Sequence, residues 1–270
     1  MKTLLKWLGR ILLVVLALLL LLVILGAGFI FYDSVAGATA DELTNVTYTG
    51  PEGQSLNGYL AEPEGAGPHP GVLLIHEWWG LNEGITVLAD ALAREGYVVL
   101  APDAYRNRTT SMVPRALWMT LTTPEDQIFS DVDGALAYLI GLDGVDPERV
   151  ATMGFCFGGG HSLQLGMRQS QSLALTIIYY GALVTDPNLL RPLTEAQPVL
   201  GVFAGDDAMI TRENVLEFEA ALNSLNIENE ITIYDGQPHG FLSEENYDQP
   251  GAARDAWQQT LAFLEKNFGD

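Results

Sequence analysis

The sequence has little positive charge and almost no cysteine. Its 270 residues include 13 Lys and Arg against 34 Asp and Glu, and a single Cys. We do not expect so acidic a chain to bind nucleic acid or to dock by charge on anionic lipid, because both surfaces are themselves negative. One cysteine excludes an intramolecular disulfide, so the fold depends on its core. The sequence has neither an internal repeat nor a metal-ligand spacing, and we expect no metal or other cofactor.

The N-terminal segment contains the one long apolar run. Ile11 to Tyr32 carries no charge and follows Lys2, Lys6 and Arg10. A run of this length can span a bilayer, and preceding basic residues keep the N-terminus inside. The predicted organisation is a cytoplasmic basic segment over 1–10, a transmembrane signal anchor over 11–32, a linker over 33–44 and one folded domain over 45–270.

This anchor predicts a single-pass membrane protein whose folded domain lies on the extracytoplasmic side. The alternative is a secreted protein, since Ala36-Gly37-Ala38-Thr39-Ala40 resembles a signal cleavage site. Cleaved signals have a shorter apolar region of about 7–15 residues. An uncleaved anchor is therefore favoured over cleavage near Ala40, and either outcome exports the domain.

Strand and helix patterns alternate along the rest of the chain. Strands are predicted near 45–50, 57–61, 71–76, 97–101, 149–155, 173–180, 198–204 and 230–235. Helices are predicted near 84–95, 124–141, 158–168, 212–225 and 251–267. Such alternation indicates a mostly parallel α/β sheet of about eight strands flanked by helices, with the first two strands as an antiparallel hairpin at one edge. A site in such a sheet lies beyond the carboxyl ends of the strands.

The only cysteine lies in the motif Gly154-Phe155-Cys156-Phe157-Gly158-Gly159, between a predicted strand and a predicted helix. This is the G-x-S-x-G nucleophile elbow with sulfur in place of oxygen, and its glycines suit a sharp turn that has no room for Cβ atoms. The unpaired N–H groups of a helix start favour the thiolate, which is the nucleophilic form. Cys156 is therefore predicted to be a nucleophile rather than a small buried apolar residue.

A nucleophile at an elbow needs a base and an orienting acid, which follow it in the chain order acid, then histidine. One later strand leads into Asp206 and Asp207, and the next leads into His239. Asp207 is preferred as the acid because it completes a Gly-x-Asp turn, with Asp206 as the alternative. Each residue alone would fit an ordinary polar turn or surface loop. Their joint order after successive strands favours a catalytic role.

The third predicted strand runs into Glu77 and Trp78. A glutamate here either points into water or reaches Cys156, where it would hold the thiol proton or steer the thiolate. The same loop occupies the position that donates the second oxyanion-hole N–H in this architecture. The hole is accordingly assigned to the backbone N–H groups of Phe157 and Trp78.

Together these motifs resemble the dienelactone hydrolase family, over roughly Val46 to the C-terminus. The resemblance rests on His76-Glu77-Trp78-Trp79-Gly80-Leu81-Asn82, the cysteine motif, Tyr179-Tyr180-Gly181, Gly205-Asp206-Asp207 and His239-Gly240-Phe241. It implies an α/β-hydrolase fold and cleavage of esters or lactones through an acyl-cysteine intermediate. It also implies a triad of Cys156, His239 and Asp207, and matches Glu77 to the glutamate that interacts with the resting thiol.

The resemblance further implies a substrate-binding loop. Family members hold an arginine for a substrate carboxylate in the loop that corresponds to 103–108, where Arg106 and Arg108 are both possible. Tyr105 and Trp79 are predicted to contact the substrate. Dienelactone-specific members carry a second arginine shortly after the histidine, whereas this chain reads Gly240-Phe241-Leu242-Ser243. That departure argues against dienelactone itself.

The segment from Met112 to Glu125 carries Trp118 and Met119 between two prolines. It is interpreted either as an apolar wall of the substrate pocket, opposite the tryptophans of the third strand's loop, or as a helix packed into the core.

The sequence as a whole predicts a monomeric, membrane-anchored hydrolase. Its partners would be a small-molecule ester or lactone and, through the N-terminal helix, the lipid bilayer. Two alternatives remain: a catalytically silent binding protein of the same fold, and a thiol redox sensor, which would need a resolving thiol from a partner.

Overall fold

The computed structural model describes residues 2–37, 39–193 and 197–269. Its helices are α1 (Lys2–Ala36), α2 (Glu83–Arg94), α3 (Val113–Thr122), α4 (Glu125–Ile140), α5 (Phe157–Arg168), α6 (Pro187–Leu190), α7 (Arg212–Ser224) and α8 (Ala252–Phe268). Its strands are β1 (Val46–Thr49), β2 (Ser55–Ala61), β3 (His69–Ile75), β4 (Val98–Pro102), β5 (Val145–Phe155), β6 (Leu175–Tyr179), β7 (Val199–Ala204) and β8 (Asn229–Tyr234). Ala38, in the alternative cleavage segment, lies outside the described residues.

Within the described part of the chain, eight strands form one sheet in the order β1-β2-β4-β3-β5-β6-β7-β8. β2 runs antiparallel to both β1 and β4, and the remaining neighbours are parallel. The predicted hairpin at one edge and the mostly parallel sheet are confirmed. β5 begins earlier than predicted because Val145 pairs with His69 of β3 across a register shift.

Both faces of the sheet are buried under helices. Successive residues of β3 point to opposite sides, as the two-residue period of a strand requires: Leu74 joins the core beneath α2 and α8, and Leu73 joins the core beneath α4. A third apolar cluster fills the space between β6, β7 and the helices α5 and α7. This double cover explains why the strands read as continuous apolar runs.

The segment after β4 forms a helix, α3, and the interpretation as a helix packed into the core holds for one side of it only. Ala116 and Met119 are buried on its inner side, as a core helix requires. Trp118, however, lies on its outer side, where it is exposed to solvent. The helix therefore packs on the domain through a narrow inner stripe and leaves much of its apolar surface uncovered.

α1 is the one helix among the described residues that is long and apolar enough to cross a bilayer. The stretch Lys6–Asp33 has a mean hydropathy of 3.3, and its apolar window is not buried by the protein. Length and composition of this kind are shared by membrane spans and signal sequences. The helix continues to Ala36, beyond the predicted end of the span at Tyr32.

Candidate active site

Four of the predicted site residues gather at one edge of the sheet. Glu77 follows β3, Cys156 follows β5, Asp207 follows β7 and His239 follows β8. These strands are parallel to one another, so their carboxyl ends lie on the same side. Ligand sites of open α/β sheets form at this edge.

Cys156 lies at a strained turn between β5 and α5. Its backbone has φ 53° and ψ −114°, a conformation that residues with a Cβ rarely adopt,. The turn is held by two hydrogen bonds: the N–H of Cys156 donates to the carbonyl of Tyr179 at 2.9 Å, and the N–H of Gly160 donates to the carbonyl of Cys156 at 3.2 Å. Strain of this kind costs about 1–3 kcal/mol and persists only where its surroundings enforce it.

The glycines after Cys156 allow the helix start to approach the sheet. A Cβ on Gly158 would collide with the carbonyl of Ile75 and lie 2.6 Å from the carbonyl oxygen of His76. A Cβ on Gly159 would lie 2.6 Å from the carbonyl oxygen of Tyr179. Side chains of any size at these positions would push α5 away from β3 and β6. The start of α5 is thereby held directly against the loop that follows β3.

The acid and the base are joined by a short hydrogen bond. His239 Nδ1 lies 2.6 Å from Asp207 Oδ2, and the Asp207 side chain is only 1% exposed. The other carboxylate oxygen accepts hydrogen bonds from the backbone N–H groups of Met209 (2.8 Å) and Ile210 (3.1 Å). Asp206, in contrast, is exposed. The structure therefore selects Asp207, the preferred of the two aspartates, as the partner of the histidine.

This pairing leaves the other ring nitrogen of His239 available. An ionised carboxylate only accepts hydrogen bonds, so Nδ1 is the donor, and in a neutral imidazole of this tautomer Nε2 carries the lone pair. Nε2 is buried and has no hydrogen-bond partner among the described residues. Tyr180 packs edge-on against the ring at a centroid distance of 5.1 Å and helps to hold its orientation.

The environment of Cys156 is less favourable to a thiolate than the sequence predicts. Burial, and next to it the carboxylate of Glu77, raise the pKa of the thiol to about 12, although a hydrogen bond from the Phe157 backbone opposes them. The Phe157 amide at the helix start favours the thiolate, as predicted, but its contribution is smaller than those of burial and Glu77. One amide does not outweigh desolvation together with a neighbouring anion.

Glu77 is itself poorly solvated. Burial, with a smaller contribution from the negative charge of Glu244, raises the pKa of the Glu77 carboxyl to about 7. Near neutral pH the carboxyl is therefore partly protonated. Because its ionised form raises the pKa of Cys156, the two groups are electrostatically coupled.

Two histidines that have no role in the sequence-based triad enclose Phe157. The ring of His76 lies parallel to it with centroids 6.0 Å apart, and the ring of His161 lies at 4.2 Å. Burial lowers the pKa of each histidine to about 4, so both are neutral at physiological pH. Their position beside the elbow follows from packing between the end of β3 and α5. The sequence signals it only through His76, which follows an apolar strand.

Arg106 is paired away from the elbow. Its Nε and Nη2 donate to the two carboxylate oxygens of Asp131 on α4 at 2.8 and 2.9 Å. Such a bidentate pair fixes the guanidinium. A substrate carboxylate would have to compete with Asp131 for this side chain.

Arg108 instead contacts Tyr105, which forms an aromatic cluster with His76 and Phe157. Its Nε donates to the Tyr105 carbonyl at 2.9 Å, and its guanidinium lies 5.8 Å from the centre of the Tyr105 ring. That ring packs on Phe157 at 5.3 Å. Of the two arginines, Arg108 is the one linked through a single side chain to the residue after Cys156.

The two tryptophans after β3 pack against each other with ring centroids 4.9 Å apart. Trp79 also lines a cavity of about 510 Å³ together with Asp33, Asn82 and Thr110, and its carbonyl accepts the N–H of Thr110 at 3.0 Å. Cys156 does not line this cavity. Trp79, in the loop after β3, thus lines the same cavity as Asp33 near the end of α1.

The sheet order and the elbow define the class of protein as an α/β-hydrolase. A sequence profile of the dienelactone hydrolase family matches residues 56–268. A candidate carboxymethylenebutenolidase from Synechocystis sp. is 30% identical over 244 residues, which cover 84% of this chain and 98% of the relative. Protein usf of Aquifex pyrophilus is 28% identical over 225 residues, with coverages of 79% and 94%.

A comparison with solved structures points to the same family. The structure of a candidate dienelactone hydrolase from Klebsiella pneumoniae superposes with a TM-score of 0.71 at 28% identity, over 82% of this chain and 98% of the other. The chain therefore belongs to the dienelactone hydrolase family. It is accordingly a hydrolase of the ester- and lactone-cleaving kind.

Proposed function

We propose that the protein is a membrane-anchored, exported hydrolase that cleaves a small ester or lactone through an acyl-cysteine intermediate on Cys156. The observation that carries this proposal is the hydrogen bond between His239 and the buried Asp207, at the same sheet edge as the strained elbow of Cys156. A nucleophile, a base and an orienting acid in this arrangement are the components of a hydrolytic triad.

Acylation begins with transfer of the Cys156 proton to Nε2 of His239. The sulfur then attacks the carbonyl carbon, a C–S bond forms, and the carbonyl oxygen becomes an oxyanion that the N–H groups of Phe157 and Trp78 stabilise. When the tetrahedral intermediate collapses, the bond to the leaving oxygen breaks and His239 protonates that oxygen. Asp207 stabilises the imidazolium throughout.

Deacylation reverses the proton flow. His239 takes a proton from water, and the hydroxide attacks the thioester. The C–S bond then breaks as His239 returns the proton to the sulfur, which releases the acid and regenerates the thiol. A thiolate suits esters with good leaving groups, because the alkoxide or enolate must depart more readily than the sulfur. Ester and lactone substrates therefore fit better than amides.

Glu77 is proposed to keep the thiol protonated until substrate binds. Its carboxylate and the local burial together raise the thiol pKa. A protonated thiol is a poor target for oxidants, since oxidation proceeds through the thiolate. This would protect Cys156 in an exported enzyme.

Arg108 is the better candidate for a substrate carboxylate, because Arg106 is engaged by Asp131. Tyr105 lies between Arg108 and Phe157 and would form one wall of the site.

The anchor, its orientation with the basic residues inside, and the monomeric state complete the proposal. The length and apolarity of Lys6–Asp33 support the span. The order of basic residues before it supports the orientation.

The test is hydrolysis of p-nitrophenyl acetate by the full chain, comparing wild type with Cys156→Ala and His239→Ala and following acylation by intact mass. Loss of activity in both variants and an acetyl adduct on Cys156 of the wild type are expected. A wild type no faster than the variants, with no adduct, would contradict the proposed hydrolase and favour a silent binding protein or a redox sensor.

A further inference from the structure

α3 presents an apolar face to its surroundings. Among the described residues outside α1, seven large apolar side chains are exposed, and four of them lie on this one helix at 48–74% exposure: Val113, Leu117, Trp118 and Leu121. At 3.6 residues per turn these four occupy an arc of about 140°. The only charged residue of α3, Arg115, is buried on the other side. Contiguous apolar surface of this kind marks a membrane or protein contact.

The same helix is joined to the end of α1. Arg115 Nη1 donates to the carbonyl of Ile30 at 3.3 Å, and its Nε lies 3.9 Å from Asp33 Oδ2. Thr110, just before α3, donates its hydroxyl to Asp33 at 2.7 Å. Asp33 is the last residue of the apolar stretch. A spanning helix leaves the hydrocarbon region at such a residue, so these bonds hold α3 at the level of the membrane surface.

We propose that the apolar face of α3 is inserted into the headgroup–acyl boundary of the leaflet from which α1 emerges, and that the active site takes lipid-soluble esters from that leaflet. The inference rests on the proposed function, because it requires α1 to span the bilayer. A face with Leu, Val and Trp and no charge inserts by burial of apolar surface, and Trp prefers this depth. Attraction to anionic lipid is not needed, in keeping with the acidity of the chain.

The inner side of α3 connects this face to side chains that lie beside the elbow of Cys156. Thr120 Oγ1 lies 3.1 Å from the hydroxyl of Tyr105, and Thr123, directly after the helix, accepts a hydrogen bond from Arg108 at 2.7 Å. Tyr105 in turn packs on Phe157. One helix thickness, about 10 Å, therefore separates the membrane face from the aromatic cluster at the elbow.

A cavity at the end of α1 lies between the proposed membrane surface and the loop that follows β3. It is lined by Asp33 on the membrane side and by Trp79 on the side of the site loop, and its volume of about 510 Å³ is that of a small-molecule pocket,. Trp79 contacts Trp78, whose N–H is proposed for the oxyanion hole. Because Asp33, Glu42 and Glu83 line this cavity, it suits the polar end of an ester, and the apolar part would stay beside α3 in the leaflet.

Position is tested with the full chain in phosphatidylcholine vesicles, in a Cys156→Ala background that makes an added cysteine unique. A spin label is placed by Leu121→Cys on α3, by Leu20→Cys in α1 and by Leu216→Cys on α7, where Leu216 is a matched exposed leucine at 51%. Collisions with oxygen and with a water-soluble nickel chelate report the surroundings of each label. We expect labels 20 and 121 in lipid, with 121 shallower, and label 216 in water.

Label 121 as accessible to the chelate as label 216, with label 20 in lipid, would overturn the inference and leave the anchor intact. Label 121 shielded from both reagents would also overturn it, in favour of a protein contact such as a second copy of the chain. Label 20 in water would overturn the anchor and, with it, the docking of α3.

Substrate uptake is tested with the catalytic cysteine in place. The double variant Leu117→Ser, Leu121→Ser is assayed on p-nitrophenyl acetate in water and on p-nitrophenyl palmitate dissolved in vesicles. Acetate turnover should stay within about twofold, while palmitate turnover falls about tenfold because two inserted side chains no longer bury apolar surface. Leu216→Ser is the control and should change neither. An equal fall on both esters, or no fall on palmitate, would contradict uptake from the leaflet.

Discussion

At the elbow after β5, apolar side chains bury ionisable groups, whereas on the outer face of α3 the apolar side chains are themselves exposed. At the elbow, burial acts on ionisable groups: it raises the pKa of Cys156 and Glu77 and lowers that of His76. On α3, apolar side chains point outward and leave the core untouched. The contrast teaches that burial shifts the pKa values of groups at the elbow, whereas the outer face of α3 contributes little to the core. Substitutions at the two regions should differ accordingly.

The largest effect is expected from the acid of the proposed triad. Asp207→Asn would keep the shape but lose the charge that orients His239, and kcat should fall by about 10³–10⁴. Asp206→Asn, in the exposed neighbour, should stay within about twofold. Steady-state kinetics on p-nitrophenyl acetate measure both. Similar losses in the two variants would contradict the assignment.

The elbow should not tolerate a side chain at Gly158. Gly158→Ala places a Cβ against the Ile75 carbonyl, so the chain should lose about 3 kcal/mol or more of unfolding free energy, or fail to fold,. Gly144→Ala is the matched control, because a Cβ there meets no atom within 4 Å. Urea denaturation compares them, and equal midpoints would show that the close approach of α5 to β3 is unimportant.

The neutral histidines around Phe157 should make the domain sensitive to acid. Their pKa is about 4 in the folded chain and about 6.5 when unfolded. Between these values the unfolded chain binds more protons, so stability is lost as pH falls from 6.5 towards 4, by about 3 kcal/mol per histidine. His161→Phe should flatten this slope in urea denaturation at pH 7.5 and pH 5. An unchanged slope would exclude His161 as its source.

Glu77 should have the opposite pH dependence. Its folded pKa of about 7 lies above the unfolded value of 4.5, so its contribution to stability is present below 4.5 and is lost as pH rises through 7,. Because Glu77 is partly exposed, Glu77→Gln should stabilise the chain at pH 8 by only about 1–2 kcal/mol. It should also lower the pKa of Cys156, which thiolate absorbance at 240 nm follows. A thiol pKa that does not change would refute the coupling.

The smallest effect is expected on the outer face of α3. Leu121→Ser in detergent micelles should change the unfolding free energy by no more than about 0.5 kcal/mol, because the side chain makes little contact with the core,. Met119→Ser, on the buried side of the same helix, should cost about 2 kcal/mol or more,. Thermal denaturation of the pair would show whether α3 divides into these two sides.

Much of the fold could be predicted because it rests on local patterns. All eight strands follow from apolar runs between turns, and the elbow follows from glycines whose neighbours leave no space for a Cβ. The sequence leaves α3 open between a pocket wall and a core helix, because its apolar residues are divided between a buried stripe and an exposed face. A pattern of that kind does not reveal which side is covered.

The sequence by itself determined the order of the eight described strands and of the helices other than α3 and α6, the elbow at Cys156 and the apolar N-terminal run, since each depends on neighbouring residues alone. Only the tertiary structure decided that Asp207 rather than Asp206 meets His239, that Arg106 is held by Asp131, and that the thiol pKa is raised. These outcomes depend on groups far apart in the chain and on how completely packing excludes water from them. Desolvation is a property of the assembled fold, so no local pattern specifies it.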